Sequence, residues 1–462
     1  MTILTLPLLI QDGMFMDAVI YSGISHNLSQ GIGSFWFPQF SARNLAIGGV
    51  YGFLEQPPLG YWIQSLFFKI FGSSMYVERF YTFLTMCISA VLINSLWRNI
   101  YKTNKEIKHL GWLPIVLWIT IPVCFWSFSN NMLENTMGIF ILAAVLFCYK
   151  ACVGNAVLIN SVLAGVFLFF ASLTKGIPGL FPLAIPLLYW IIFKNISFIT
   201  SIKSTAFMLL CPVVIYFVLF LYPESRESLS QYLFKRALQR IDAAPNVGSH
   251  FYILFRLISE LLPAIIIIAV IKTINYFKKT KTNHSVDFKL SAFFIMVGLC
   301  GALPLMLTRV QKGFYFVQAL PFFAIGFAVL IAPVINNWIN SLSQKRKSLQ
   351  IFFYSNIIVI ILVFVYSFLQ IGKTGRNQEL LQDVYAVGKI VPHHTTISVP
   401  DFDTWNQWDL QAYLIRYFNI SLDDKTDNVY MLVDKNTSSN PPVDHEQVPI
   451  KTKRFILFKK MI

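Results

Sequence analysis

Asp12, Glu55, Glu134, Lys175, Arg309 and Lys312 stand in short polar stretches beside apolar segments of the chain. Charge at a membrane edge is unfavourable unless it is paired, solvated or used. Asp12 follows directly on the apolar run 1–11. Lys175 lies in Leu173-Thr174-Lys175-Gly176, a tight turn between two runs, and Thr308-Arg309-Val310-Gln311-Lys312-Gly313 joins two more. A carboxylate so placed can take a proton from a hydroxyl. Cations in one layer can hold a phosphate or diphosphate and neutralise the charge of a departing one. The alternative for each cation is that its stem lies along the apolar surface while its head sits among lipid headgroups. Three cations in the same layer favour the phosphate reading. In Leu54-Glu55-Gln56-Pro57-Pro58-Leu59 a carboxylate precedes a helix start, where it either complements the helix dipole or serves as a site residue held by the stiff Pro-Pro pair. Glu134, in Asn130-Asn131-Met132-Leu133-Glu134-Asn135, carries the same two readings.

The elements that must position these residues are set by composition. The chain of 462 residues is 56% hydrophobic and 13% charged, with mean hydropathy +0.60. A soluble domain carries about 25% charged residues. Several runs reach the ~20 apolar residues that cross a bilayer, and they are apolar on all sides rather than alternating, so they are helices and not barrel strands. Crossings are expected near 1–11, 79–97, 111–128, 132–150, 155–173, 177–193, 205–222, 251–273, 288–307, 314–334 and 349–369. The expected fold is an α-helical polytopic membrane protein of about eleven transmembrane helices with a large first outer loop and a small C-terminal soluble α/β domain. Within the loop 12–78, Met14–Leu28 reads as an interfacial helix with Met14, Ala18, Tyr21 and Leu28 on one face, and a second helix begins at Pro57-Pro58 and runs through Phe71.

The net charge of +15 would suggest nucleic acid in a soluble protein. Here the basic residues cluster in short loops, which is the positive-inside bias, and no nucleic-acid partner is expected. With the first loop outside, the loops holding Arg98, Lys102, Lys105 and Lys108; Lys150; Lys194 and Lys203; Lys272, Lys278, Lys279 and Lys281; and Lys345, Arg346 and Lys347 all fall inside. Half of the 22 acidic residues lie in 372–462. Of the rest, Glu106 and Asp287 fall inside and Glu260 within a span, while Asp12, Asp17, Glu55, Glu78, Glu134, Glu224, Glu227 and Asp242 face outside. All six cysteines lie in or beside apolar runs and read as small hydrophobes rather than disulfides or ligands.

Composition changes after about residue 371. Two domains are expected, a transmembrane domain over 1–371 and a soluble extracytoplasmic domain over 372–462. The latter has strand-like Thr396–Val399, Val429–Val433 and Phe455–Phe458, with Trp405–Phe418 helical between them.

Taken in order, these motifs resemble the membrane glycosyltransferases that include protein O-mannosyltransferases and the lipid A aminoarabinose transferases, with the C-type glycosyltransferase fold. The resemblance covers roughly 1–335. It rests on Asp12 after the first span, on Glu55-Gln56-Pro57-Pro58-Leu59-Gly60-Tyr61-Trp62, and on Phe71-Gly72 with Arg79. It continues through Glu134, Lys175-Gly176, His250-Phe251-Tyr252, and Lys312 with Pro321. The family often has Asp-Glu after the first span and a Lys or His between the Glu and Pro-Pro, where this chain has Asp12-Gly13 and Gln56.

The resemblance implies an enzyme that transfers a sugar, with inversion, from a polyprenyl-phosphate donor to a lipid, glycan or protein acceptor. It implies a multi-pass protein of the plasma (inner) membrane working on the extracytoplasmic side. Phosphate leaves without needing a proton, so one base suffices. Asp12 is the expected catalytic base, with Asp17 its nearest rival. Lys175, Lys312 and Arg309 are expected to bind the donor phosphate, and Glu55, Gln56, Arg79 and Glu134 are further site candidates. No cofactor is required by this chemistry, but the likeness to the aminoarabinose transferases suggests that Glu55 and His250 share a divalent metal. The competing class is a transporter or flippase that moves a lipid-linked substrate without chemistry. It would place charge at the bilayer midplane, where only Glu260 clearly stands. A non-catalytic lipid-binding subunit is a third possibility.

Overall fold

The computed structural model describes residues 2–42, 52–154, 156–239, 244–278, 285–343, 346–424, 428–437 and 444–461. Lys279, Lys281, Lys345 and Asp242, named above, lie outside the described residues. The described chain is mostly helical, and its apolar helices make it an integral membrane protein. Eight described helices are long and apolar enough to cross a bilayer, or nine if the bent pair Lys105–Ile119 and Pro122–Ser129 is one span. Of the other expected crossings, 1–11 appears as the eight-residue helix Thr2–Leu9, and 177–193 as the shorter apolar helix Ile177–Phe193.

The chain forms two compact units. The first comprises Met1–Pro7, Phe83–Ser129 and Leu133–Leu369. Its helices pack where small residues let backbones approach. A Cβ on Gly165, in the helix Val157–Lys175, would lie 2.7 Å from the Met208 carbonyl oxygen of the helix Phe198–Phe220. Beside it Ser161 and Ser204 share a 2.8 Å hydrogen bond. In the helix Phe288–Ala302, Ser291 donates to the Gly326 carbonyl of the helix Leu320–Ser343 at 2.9 Å. Phe147 and Phe167 stack at 5.6 Å across the helices Leu133–Val153 and Val157–Lys175.

The 82° bend at residues 120–121 frees backbone amides that lipid cannot satisfy. Glu260 accepts from the Val123 amide at 2.7 Å and is paired with Arg256 at 2.5 Å. The acid that sequence singled out as a midplane charge is therefore the partner of a helix break, a structural use that a transporter does not require.

The second unit comprises Leu8–Thr82, Asn130–Met132 and Gln370–Ile462. Its sheet has the order β2-β1-β3-β5-β4. The strands are β1 Thr396–Ser398, β2 Ser421–Asp423, β3 Tyr430–Asp434, β4 His445–Gln447 and β5 Phe455–Lys460. β1 pairs in parallel with β2 and β3, and β5 runs antiparallel to β3 and β4. Ile397, Leu422, Met431, Val433 and Leu457 are buried in its core. Buried Asp383, on the helix Gln378–Gly388, accepts from the amides of Lys453, Arg454 and Phe455 at 2.5, 2.7 and 3.1 Å and so fixes the entry to β5.

The first-loop helix is Met16–Ser29, and every residue from Ala18 to Leu28 is buried. The one-faced pattern that suggested an interfacial helix is thus only part of its packing. Gly23 faces Ile415 and Arg416 on the helix Trp408–Phe418, and Ser25 bonds Gln64 on the helix Leu59–Phe71 at 3.1 Å.

Candidate functional site

In the second unit the chain leaves Thr2–Leu9 and enters an extended stretch that pairs with the C-terminal segment. The Asp12 amide donates to the Lys373 carbonyl at 2.9 Å, and the Gly375 amide donates back to the Asp12 carbonyl at 2.8 Å. This fixes the backbone, and Gly13 at φ +87° completes it. A Cβ there would lie 2.4 Å from the Arg376 carbonyl oxygen, so glycine is required. The departure from the family's Asp-Glu is thereby accounted for: the neighbour of Asp12 must be the residue without a side chain.

The Asp12 carboxylate is 6% exposed. Its Oδ1 accepts from the Tyr417 hydroxyl and from the Gly13 amide, each at 2.6 Å, and its Oδ2 accepts from the Tyr385 hydroxyl at 2.6 Å. The two phenol rings stack at 5.5 Å with 14° between planes. Arg79, buried, donates from Nη2 to the Gly13 carbonyl at 2.8 Å, so this candidate reaches the backbone beside Asp12. Tyr413 accepts from the Met14 amide at 3.0 Å and donates to the Met14 carbonyl at 2.9 Å. The rival Asp17 is half-buried in the first turn of Met16–Ser29, as expected of an acid that favours the helix dipole. Glu55 is half-buried and Gln56 buried in the turn that precedes Leu59–Phe71.

Below Tyr417 lies a buried ion pair. Arg416 donates from Nε and Nη2 to Glu78 at 3.1 and 2.6 Å, and from Nη1 and Nη2 to the Ser73 and Ser74 carbonyls at 3.2 and 3.1 Å. The pair is 1% and 0% exposed. Its guanidinium also lies 4.6 Å from the Phe68 ring. His26 sits nearby with Nε2 2.8 Å from Ser73 Oγ. Burial first, then the charges of Arg416 and His394, lower its pKa to about 3.

In the first unit Lys175 ends the helix Val157–Lys175, and Glu134 opens the helix Leu133–Val153. Their side chains meet at 2.6 Å and are 8% and 1% exposed. Each also favours its own helix dipole. The ammonium lies 5.9 Å from the rings of both Phe314 and Tyr315. Gly176 has φ +85°, and a Cβ there would collide with the Tyr232 hydroxyl, which explains the Thr-Lys-Gly turn.

The turn 308–313 is built around Gln311, which is buried. It donates to the His250 and Thr308 carbonyls at 3.0 and 2.7 Å and accepts from the Ile253 amide at 2.8 Å. Arg309 is exposed and Lys312 half-buried. His250 has Nδ1 2.7 Å from the Met306 carbonyl oxygen, which leaves Nε2 as its ligating atom. Glu55 belongs to the other unit, and among the described residues no group of three or more His, Cys, Asp or Glu comes together for a metal. Two donors are too few to define a centre.

The sequence reading missed Tyr385, Tyr417, Arg416 and the pairing of Lys175 with Glu134. Tyr413 and Tyr417 left a signal, since residues four apart in a predicted helix share a face. Tyr385 left none, because its helix, Gln378–Gly388, was not anticipated.

Residues 55–222 match the family model for dolichyl-phosphate-mannose-protein mannosyltransferase. The chain is 25% identical over 142 residues to undecaprenyl phosphate-alpha-4-amino-4-deoxy-L-arabinose arabinosyl transferase 2 of Proteus mirabilis, covering 30% of this chain and 24% of that one. It is 23% identical over 372 residues to the corresponding arabinosyl transferase of Wigglesworthia glossinidia brevipalpis, covering 76% and 63%. The aligned part is thus less than two thirds of the length of either curated relative. Its fold matches that of ArnT from Cupriavidus metallidurans bound to undecaprenyl phosphate with TM-score 0.70 at 14% identity, over 99% of this chain and 96% of that one. The apo form of the same protein gives TM-score 0.68. In family model, curated relatives and fold alike, the chain is similar to the membrane glycosyltransferases that include the protein O-mannosyltransferases and the aminoarabinose transferases.

Proposed function

We propose that the protein is an inverting glycosyltransferase that moves a sugar from a polyprenyl-phosphate donor to an acceptor hydroxyl or phosphate on the extracytoplasmic face of its membrane. The observation that supports this most is the alignment over 372 residues with a curated arabinosyl transferase, because it takes in 76% of this chain. In this reading the acceptor oxygen attacks the anomeric carbon while the carbon–phosphate-oxygen bond breaks. A phosphate leaves as an anion, so the only proton to be moved is that of an acceptor hydroxyl. Asp12 takes it. Its backbone is pinned on both sides and its carboxylate is turned by two phenols, so the base is fixed before the acceptor arrives. The cations Lys175, Lys312 and Arg309 neutralise the departing phosphate. Lys312 and Arg309 are the more available for this role, since Lys175 already answers Glu134. No step is routed through a metal.

The deciding experiment incubates the purified full chain with radiolabelled polyprenyl-phosphate sugars and membrane extract and identifies the labelled product. Transfer to an acceptor with inversion is the expected result. Movement of intact donor across reconstituted vesicles without any transfer would replace the enzyme by a flippase. Cysteine-accessibility labelling in intact cells tests the orientation. Residues 98–110 and 272–287 are expected inside and residues 372–462 outside. A C-terminus that labels only after permeabilisation would overturn the assigned side.

A further inference from the structure

We propose that Tyr385 and Tyr417 are positioning residues for Asp12, so that the segment 370–462 supplies part of the acid–base apparatus. The inference rests on the reading of Asp12 as the base. Each carboxylate oxygen accepts one phenol hydrogen at 2.6 Å, Oδ2 from Tyr385 and Oδ1 from Tyr417. Oxygen–oxygen distances of 2.5–2.7 Å mark hydrogen bonds to an ionised acceptor. Burial, and after it the hydrogen bond and charge of Asp12, raise Tyr385 above the ordinary phenol range. Burial followed by the Asp12 charge does the same for Tyr417, so both remain donors throughout the physiological range.

The surroundings leave this task to the phenols. Arg79 bonds the Gly13 carbonyl and not the carboxylate. Arg376 lies 5.3 Å over the Phe15 ring. Arg416 is tied to Glu78. Tyr413 is spent on the Met14 backbone, and Lys373 meets Asp12 through its carbonyl. The side-chain donors to the carboxylate among the described residues are neutral hydroxyls. They favour the ionised form without the tight electrostatic trapping that a cation would impose, so the proton can still be received when a donor yields to the acceptor hydroxyl. Both phenols are half-buried, so either can yield its place on the carboxylate.

The test uses the full chain in lipid nanodiscs and infrared difference spectroscopy on lowering the pH. The protonated-carboxyl band that Asp12→Asn removes belongs to Asp12. Tyr385→Phe and Tyr417→Phe keep the stacked rings and delete only the hydroxyls. A hydrogen bond to a charged group is worth about 1.5–3 kcal/mol, so the Asp12 midpoint is expected to rise by about one to two pH units in either variant and further in the double variant. The acid limb of the rate profile is expected to move up by the same interval, because the base is lost at a higher pH. Midpoints that stay in place in both single variants and in the double variant would overturn the proposal. If Asp12→Asn keeps normal turnover the reading of the base fails instead, and the infrared midpoint still reports separately on the two phenols.

Discussion

Asp12 and Lys175 are both buried charges at the end of an apolar helix, and the chain stabilises them by opposite means. Lys175 is matched by a full counter-charge at 2.6 Å and flanked by two aromatic rings. Asp12 is held by dipoles alone, two phenol hydroxyls and one amide. An ion pair confers rigidity, since removing either partner strands the other in a medium of low polarity. A carboxylate held by neutral donors stays chemically responsive, since gaining a proton removes hydrogen bonds but leaves no orphaned charge. The contrast fits the proposed role of Asp12 in proton transfer and gives Lys175 first a structural part, as the counter-charge of Glu134.

The most direct way to break this contrast is Asp12→Asn, which keeps size and hydrogen bonding and deletes the base. Turnover is expected to fall by about 10²–10⁴-fold with donor affinity retained, measured with the labelled-donor assay. Asp17→Asn should lose far less. The reverse order would move the base to Asp17. Near-normal turnover in both would remove general-base assistance from the mechanism.

At the other charge the expected effect is on stability. Glu134→Gln removes the carboxylate 2.6 Å from the Lys175 ammonium and is expected to destabilise the helical unit by up to about 3–5 kcal/mol, read as a lower unfolding midpoint in detergent. Glu134→Gln combined with Lys175→Met should restore most of that loss, because the double variant removes both charges of the pair. A single variant as stable as the wild type would mean that Lys175 is solvated or partnered by other means, and the contrast with Asp12 would disappear. For the same reason Lys175→Ala is a poor probe of phosphate binding.

How much of this was legible in the sequence follows from what each feature depends on. The apolar runs and the sheet strands β1, β3 and β5 depend on local pattern and were read close to their observed bounds. Asp12, Glu134 and Lys175 were legible as charges at helix ends. Their partners were not, because Tyr385 lies 373 residues from Asp12 in the chain, and a contact at that separation leaves no periodicity. The strands β2 and β4, of three residues each, are too short to show alternation. The buried pair of Arg416 with Glu78 is hidden for another reason, since an isolated Arg in an amphipathic helix reads as its wet face. Glu260 was legible as an anomaly, and its use became clear only with the 82° bend that frees the Val123 amide.

A smaller effect sharpens the assignment of the cations. Lys312 is half-buried, and neither an ion pair nor a hydrogen bond of its ammonium is seen among the described residues, so Lys312→Ala should spare stability. A charge-assisted bond to phosphate is worth about 1.5–3 kcal/mol, so donor affinity is expected to weaken by about ten- to hundredfold. Unchanged affinity for a polyprenyl phosphate would return Lys312 to the lipid headgroups.

The smallest effect concerns a third way of burying a titratable group in the unit that holds Asp12, which is to keep it neutral. His26 is 3% exposed, and its pKa is lowered from 6.5 to about 3 by burial, then by Arg416 and His394. A folded-state pKa below the unfolded one means that the unfolded chain binds the proton more readily. The stability that neutral His26 contributes is therefore fully present above pH 6.5 and is lost progressively as the pH falls from there toward about 3. Between pH 7 and 5.5 the loss from this one group is about 1 kcal/mol. His26→Gln, which carries no titrating proton, should flatten that part of the profile, measured as the difference between the two unfolding midpoints over this interval. A His26→Gln profile as steep as the wild type's between pH 7 and 5.5 would show that another histidine, His394 or His393, carries the dependence. Its neutral burial would then play no part in what holds the helices Met16–Ser29 and Trp408–Phe418 together.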